Sequence, residues 1–146
     1  MDFIWDVDGT IADIAHRRHY VADKKRSNWN AFRKAAAMDT PVEPVVHVLR
    51  TLLQVPGNRV VLCSGRMEME RDLTVWWMGV HEIPYHALYM RSDNDYRADF
   101  IVKEELLAQL RADGYNPVMA FDDRQQVVDM WRENGLICAQ VAKGDF

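Results

Sequence analysis

Five short, unbroken apolar runs constrain this chain more than any other feature, and four of them lead straight into a polar or charged residue. Phe3-Ile4-Trp5 leads into Asp6, Arg59-Val60-Val61-Leu62-Cys63 into Ser64-Gly65, Ala87-Leu88-Tyr89-Met90 into Arg91, and Pro117-Val118-Met119-Ala120-Phe121 into Asp122; Leu136 to Val141 completes the set. Continuous runs of this length are what strands buried on both faces of a parallel sheet require. Between them lie helical periods: Val42 to Gln54, Met67 to Gly79, Asp99 to Asp113 and Arg124 to Asn134, with Gly114 and Gly135 at C-cap positions. This alternation predicts a doubly wound α/β fold around a central parallel sheet. Residues 14–40 are polar and basic, hold one helix near Trp29 to Met38, and read as a small cap inserted after the first strand.

Composition sets the outer limits. The chain has 146 residues, 49% hydrophobic and 27% charged, with a net charge of −4, which excludes a disordered chain. A chain of this length buries roughly 68–70% of its unfolded surface, enough for one domain over residues 1–146 without disulfides. No stretch approaches the ~20 apolar residues of a membrane span. The start, Met1-Asp2-Phe3-Ile4-Trp5-Asp6, lacks the basic flank of a secretory signal. Cys63 and Cys138 sit inside apolar runs and form no framework, so a reducing cytoplasm is expected. A pI of about 5.7 argues against a broad footprint on duplex nucleic acid, though not against a grip on one end of a strand. The five histidines show no metal-ligand spacing.

The polar residues that follow the runs fall at the carboxyl ends of the strands, the edge where open α/β sheets bind ligands. In Asp6-Val7-Asp8-Gly9-Thr10, an extended backbone puts Asp6 and Asp8 on one side. Two such carboxylates suit a hard cation such as Mg²⁺, and they also suit a division into nucleophile and proton carrier; the bland reading is a solvated Asp-Gly turn. Asp122-Asp123-Arg124 places adjacent acids after a strand, where they repel unless a cation or base is near; an N-cap accounts for one of them. Ser64-Gly65-Arg66 offers a hydroxyl and backbone N–H groups for an anion, or is a plain strand-to-helix turn. Lys103 stands on the Asp99 to Asp113 helix, where a lone lysine is ordinarily solvated.

Taken together, these motifs in this order resemble the haloacid dehalogenase superfamily of phosphotransferases. More narrowly, these runs, with Val102-Lys103-Glu104-Glu105, Gln125-Gln126-Val127-Val128, Met130-Trp131-Arg132 and Gln140-Val141-Ala142-Lys143-Gly144-Asp145-Phe146, are similar to the 3′-phosphatase domain of phage polynucleotide kinase–phosphatase. The resemblance implies a three-layer α/β/α fold with a small helical cap. It implies Asp6 as nucleophile, Asp8 as proton donor and then base, and Ser64 and Lys103 holding phosphoryl oxygens. It implies Mg²⁺ held by Asp6, the Asp8 carbonyl and Asp122, with Asp123 in support, and a role for Thr10, Gly65, Arg66, Arg91 and Arg97 at the substrate. Asp8 would have to begin protonated, which crowding among acids favours.

The activity implied is removal of 3′-terminal phosphate from DNA or RNA ends, with a separate kinase or ligase as a partner. No glycine precedes Lys-Ser or Lys-Thr in P-loop spacing, so no 5′-kinase activity is expected. The rivals are a nucleotidase or small-molecule phosphatase of the same fold, and a non-catalytic module that binds nucleic-acid ends. In the cap, His16-Arg17-Arg18-His19 and Lys24-Lys25-Arg26 either face substrate or are solvated, the latter being favoured for any single residue. Trp29, Tyr20 and Phe32 are open to stacking on a terminal base; Trp76, Trp77 and Trp131 read as core or interface.

Overall fold

The computed structural model describes residues 1–144; Asp145 and Phe146, the end of the family-like run, lie outside the described residues. Five strands, β1 (Asp2–Trp5), β4 (Arg59–Met67), β5 (Ala87–Arg91), β6 (Pro117–Arg124) and β7 (Ile137–Gly144), form one parallel sheet of order β5-β4-β1-β6-β7. Four helices cover its faces: α2 (Glu43–Leu53), α3 (Arg71–Val80), α4 (Asp99–Ala112) and α5 (Gln125–Glu133). Among the described residues, no helix is long and apolar enough to cross a membrane.

Strand alternation divides the core into two layers. Ile4, Val61, Cys63 and Ala120 face Val102, Leu106, Leu110, Val127 and Trp131 of α4 and α5. Phe3, Trp5, Val60 and Leu62 face Val46 and Leu49 of α2 and Trp77 and Met78 of α3. The Trp5 and Phe121 rings, on register-paired residues, stack with centroids 3.8 Å apart. The expected three-layer arrangement is therefore present, and the runs of β1 and β4 are buried on both faces, whereas Val118 of β6 is 39% exposed and Ile137 of the edge strand β7 is 70% exposed, so those runs are not.

The strands run further than the apolar runs indicate. β4 continues through Ser64-Gly65-Arg66 to Met67, β6 through Asp122-Asp123 to Arg124, and both carry register irregularities at those polar residues. Such irregularities re-aim side chains at sheet edges. The helix expected from Met67 consequently starts at Arg71, after a single 3₁₀ turn at Glu68–Glu70. The cap rises from a two-stranded antiparallel base, β2 (Ala12–Asp13) against β3 (Thr40–Pro41), and holds a 3₁₀ helix at Ala15–Tyr20, α1 (Trp29–Ala35) and a 3₁₀ turn at Ala36–Met38. Asn28 caps α1 by accepting the Ala31 N–H at 3.1 Å.

At the amino edge of the sheet, buried Asp2 accepts both arms of the Arg59 guanidinium at 2.7 Å and the Asn116 N–H at 2.7 Å, tying β1, β4 and the entry to β6 together. Burial alone would raise this carboxyl; the Arg59 bonds and the Asn116 N–H outweigh it and hold the pKa below the ordinary value. Its stabilisation is therefore present above the unfolded carboxyl pKa and is lost as pH falls through the lower folded one. Asp2→Asn should lower stability by about 1–3 kcal/mol at neutral pH. In urea melts the gap to the wild type should close below roughly pH 4.

Candidate active site

The chain leaves β1 with the Asp6 N–H still on the Phe121 carbonyl at 3.0 Å, then wraps around a single acceptor. The Val7 carbonyl takes the N–H groups of Thr10, Ile11 and Ala12 at 2.9–3.2 Å. Gly9 makes this turn at φ +82°, and a Cβ there would lie 2.8 Å from the Asp123 carboxyl carbon. Glycine is required both for the backbone and for the approach of β6. The loop closes on itself through Thr10, whose hydroxyl donates to Asp6 Oδ2 at 3.0 Å.

Lys103, 1% exposed, reaches this loop from α4. Its Nζ donates to Asp6 Oδ1 at 2.7 Å and Asp122 Oδ2 at 3.0 Å, and lies 3.5 Å from Asp99 Oδ2. Burial would strip its proton, but Asp122, Asp6 and Asp99 hold the pKa well above the ordinary lysine value. Trp131 Nε1 donates to Asp122 Oδ2 at 3.1 Å, and Asp122 Oδ1 accepts the Asp123 N–H at 2.9 Å. Gly144 at the end of β7 closes this side: a Cβ there would run into the backbone of Asp123 and Arg124.

Asp6, Asp122 and Asp123 are all buried, and each offers one oxygen within 4.8 Å of the others. Asp123 Oδ2 is buried without a hydrogen-bond partner among the described residues. Burial, and then the Asp122 charge, push the carboxyls of Asp6 and Asp123 up, which Lys103 only partly opposes. Three carboxylates against one ammonium, with hard oxygen donors and one orphaned lone-pair face, fit a divalent cation of the Mg²⁺ type.

Asp8 does not join this set. Its Oδ1 accepts Arg66 Nη2 at 2.6 Å, Arg66 Nε at 3.0 Å and Arg17 Nη2 at 2.9 Å. Burial would raise its pKa, yet Arg66 and then Arg17 overcome it and hold Asp8 below the ordinary carboxylate value. This reverses the expectation of a proton held by crowded acids, because the neighbours of Asp8 are guanidiniums. Both arginines are anchored behind it by Asp39, 2% exposed, which accepts Arg17 Nε and Nη2 at 2.8 Å and Arg66 Nη2 at 3.2 Å. His16 Nε2 lies 2.7 Å from Asp39 Oδ1.

Of the residues singled out in the sequence, Asp6, Thr10, Lys103, Asp122 and Asp123 converge, and Asp8 with Arg66 forms an adjoining cluster. Ser64 is buried beside them, its Oγ accepting the Arg66 N–H at 3.1 Å. Gly65 is confined by the Asp99 carboxylate, which a Cβ would strike. Arg91 stands one layer back, donating to the carbonyls of Gly65, Asp95 and Arg97 at 2.6–3.1 Å and to Asp99 at 3.2 Å. The Arg97 side chain is not brought into the cluster: it lies on the surface, paired with Asp95 and Glu105. Arg17 corrects the solvated reading of the basic patch, since it is fully buried. Asp39 and Trp131's bond to Asp122 carried no sequence signal: each partner lies far away in the chain or in another element.

A parallel sheet of this order, with acids after its first strand, a buried lysine on a later helix and a second acid pair at the next strand end, defines a phosphatase-type hydrolase of the haloacid dehalogenase fold. L-2-haloacid dehalogenase of Xanthobacter autotrophicus shares that fold at a TM-score of 0.62 and 13% identity, over 96% of this chain and 76% of that one. The model of the polynucleotide kinase PNKP phosphatase domain matches residues 2–146, and the chain belongs to that family. A chain of the Pnkp1/Rnl/Hen1 complex is 38% identical, with a TM-score of 0.84 over 99% of this chain. A protein of Autographa californica nuclear polyhedrosis virus, provisionally named a bifunctional polynucleotide kinase/RNA ligase, is 28% identical over 129 residues, 88% of this chain. This chain spans 46% of the former and 17% of the latter.

Lys103→Met should leave the buried carboxylates without their cation and destabilise the fold by about 3–5 kcal/mol. Mg²⁺ should recover part of that loss in thermal melts, since binding to the folded state alone raises stability; an unchanged melting temperature with Mg²⁺ would count against a cation on Asp6, Asp122 and Asp123.

Proposed function

We propose that this chain is a Mg²⁺-dependent phosphomonoesterase that removes the 3′-terminal phosphate from DNA or RNA ends, carrying the phosphoryl group transiently on Asp6. The convergence of Asp6, Lys103, Asp122 and Asp123 at the carboxyl edge of the sheet carries this reading, within a family of polynucleotide kinase phosphatase domains. The Mg²⁺ ion, held by Asp6, Asp122, Asp123 and the Asp8 carbonyl, would supply positive charge at the transferring phosphoryl oxygens.

The residues divide the remaining work. Thr10 and Lys103 each hold one oxygen of Asp6, which fixes the rotamer in which one lone pair faces the phosphorus. As the Asp6–phosphorus bond forms, the bond to the sugar O3′ breaks and Asp8 gives that oxygen a proton. Asp8 then takes a proton from the water that attacks phosphorus, releasing inorganic phosphate and restoring Asp6. Since Arg66 and Arg17 keep Asp8 charged while they bond to it, the donor step requires both guanidiniums to turn towards phosphoryl oxygens, a pairing that suits their forks, and Asp8 to take up a proton from solvent before the bond to O3′ breaks. Ser64 and Lys103 hold the same group from the sheet side.

The relatives join a polynucleotide kinase with an RNA ligase in one protein, or assemble as Pnkp1, Rnl and Hen1. The present chain is read likewise as working beside a kinase or ligase in nucleic-acid repair, in a reducing cytoplasm that suits its two buried free cysteines.

With Mg²⁺, phosphate release should strongly favour a 3′-phosphorylated oligonucleotide over a 3′-mononucleotide. Equal or reversed preference would move the function to small phosphate esters, and no release from either would leave an end-binding module. Asp6→Asn should lower turnover by roughly 10³-fold or more, and Asp8→Asn by about 10²–10⁴-fold.

A further inference from the structure

The cap carries charge of the opposite sign to the rest of the molecule. Residues 14–40 hold seven of the chain's 18 Lys and Arg and two of its 22 Asp and Glu, a net charge of +5 against −9 elsewhere. Part of that charge stays open at the surface. Arg17 is committed to Asp8 and Asp39, while Lys24, Lys25 and Arg26 lie exposed in one turn. That turn is shaped by Asp23, whose carboxylate accepts the Lys25 backbone N–H at 2.9 Å, and among the described residues none of the three side chains is paired with an acid. The loop is closed onto the cap by the Asn28 N–H donating to the Tyr20 carbonyl at 2.7 Å.

Just beyond this loop stands Trp29, 52% exposed. Its ring is in contact with Phe32, to which it stands perpendicular with centroids 5.5 Å apart. Phe32 in turn carries the Arg17 guanidinium 4.3 Å from its ring centroid, and Arg17 reaches Asp8 at 2.9 Å. An unbroken path of touching side chains thus leads from an exposed indole to the candidate proton donor. A solvent-facing tryptophan beside unpaired cations is how proteins bind single strands: bases stack on the ring while cations follow the phosphates.

Resting on the phosphatase reading above, we propose that Trp29 with Lys24, Lys25 and Arg26 binds the single strand leading away from the 3′-terminal phosphate, with Trp29 stacking on a base. This surface makes the substrate a polynucleotide end rather than a free phosphate ester.

The test pairs binding with turnover. Anisotropy of a labelled single-stranded oligonucleotide ending in a 3′-hydroxyl reads the surface without chemistry. Trp29→Ala should weaken that binding by about 5- to 150-fold, the range of one base stack, and should lower kcat/KM for the 3′-phosphorylated oligonucleotide relative to the 3′-mononucleotide by a similar factor. Trp29→Phe should restore most of the loss. Replacing Lys24, Lys25 and Arg26 together by Gln should flatten the salt dependence of binding by roughly 0.7 in log–log slope for each phosphate that the variant no longer neutralises. Unchanged strand binding in Trp29→Ala, or equal losses on both substrates, would overturn the proposal, the first even if the wild type is an active phosphatase. Trp29-dependent strand binding by a wild type that releases no phosphate would instead uphold the surface and refute the phosphatase reading.

Discussion

A single buried ammonium organises the carboxyl edge of this sheet. Lys103 lies between Asp6, Asp122 and Asp99, at distances of 2.7, 3.0 and 3.5 Å, and without it the loops after β1 and β6 would bring bare carboxylates together in a poorly solvated place. The desolvation of four charged groups is expensive, and their attraction repays it only with good geometry and satisfied lone pairs. Here most of the lone pairs are satisfied: Thr10 bonds the second oxygen of Asp6, Trp131 shares Asp122 with the lysine, and the Asp123 N–H takes the rest of Asp122. Among the described residues, Asp123 Oδ2 of the same acid cluster is buried without a partner. A site with more carboxylates than its lysine neutralises is suited to a cation, and α4, α5 and the sheet pack beneath it.

A second ionic cluster couples this edge to the cap. Asp39 gathers Arg17 and Arg66, one from the cap and one from the end of β4, and both meet again on Asp8. Trp77 Nε1 adds a bond to the Asp39 carbonyl at 2.9 Å, so α3 holds the same corner. The two carboxylates of the Asp6-Val7-Asp8 motif therefore live in opposite surroundings two residues apart: acids and one lysine around Asp6, guanidiniums around Asp8. The two surroundings push these neighbouring carboxyls in opposite directions, Asp6 up and Asp8 down.

Much of the architecture was legible in the sequence. Apolar runs such as Val60 to Cys63 and Met119 to Phe121 identify buried parallel strands because few other elements tolerate so many apolar residues in so short a span. The polar residues that follow mark the carboxyl edge for the same reason. Less legible was where each strand ends, since β4 and β6 continue through Ser64–Met67 and Asp122–Arg124 by register shifts that leave no mark on polarity. Arg17 was hidden among exposed-looking basic neighbours, and the 3₁₀ helix at Ala15–Tyr20 turns it inward without any apolar periodicity to announce it.

By itself, then, the sequence determined the strands, their shared functional edge and the residue types gathered there, because burial and alternation are local in the chain. Only the tertiary structure decided which charges meet. Lys103 and Asp6 are 97 positions apart and Arg66 and Asp8 are 58 apart; Coulomb interaction at such pairs depends on separation in space and on local burial, neither of which local pattern encodes. The acid–lysine core could be named in advance only through the family resemblance, since the residues alone read Lys103 as solvated, whereas the guanidinium clamp on Asp8 had neither a local pattern nor a motif to announce it.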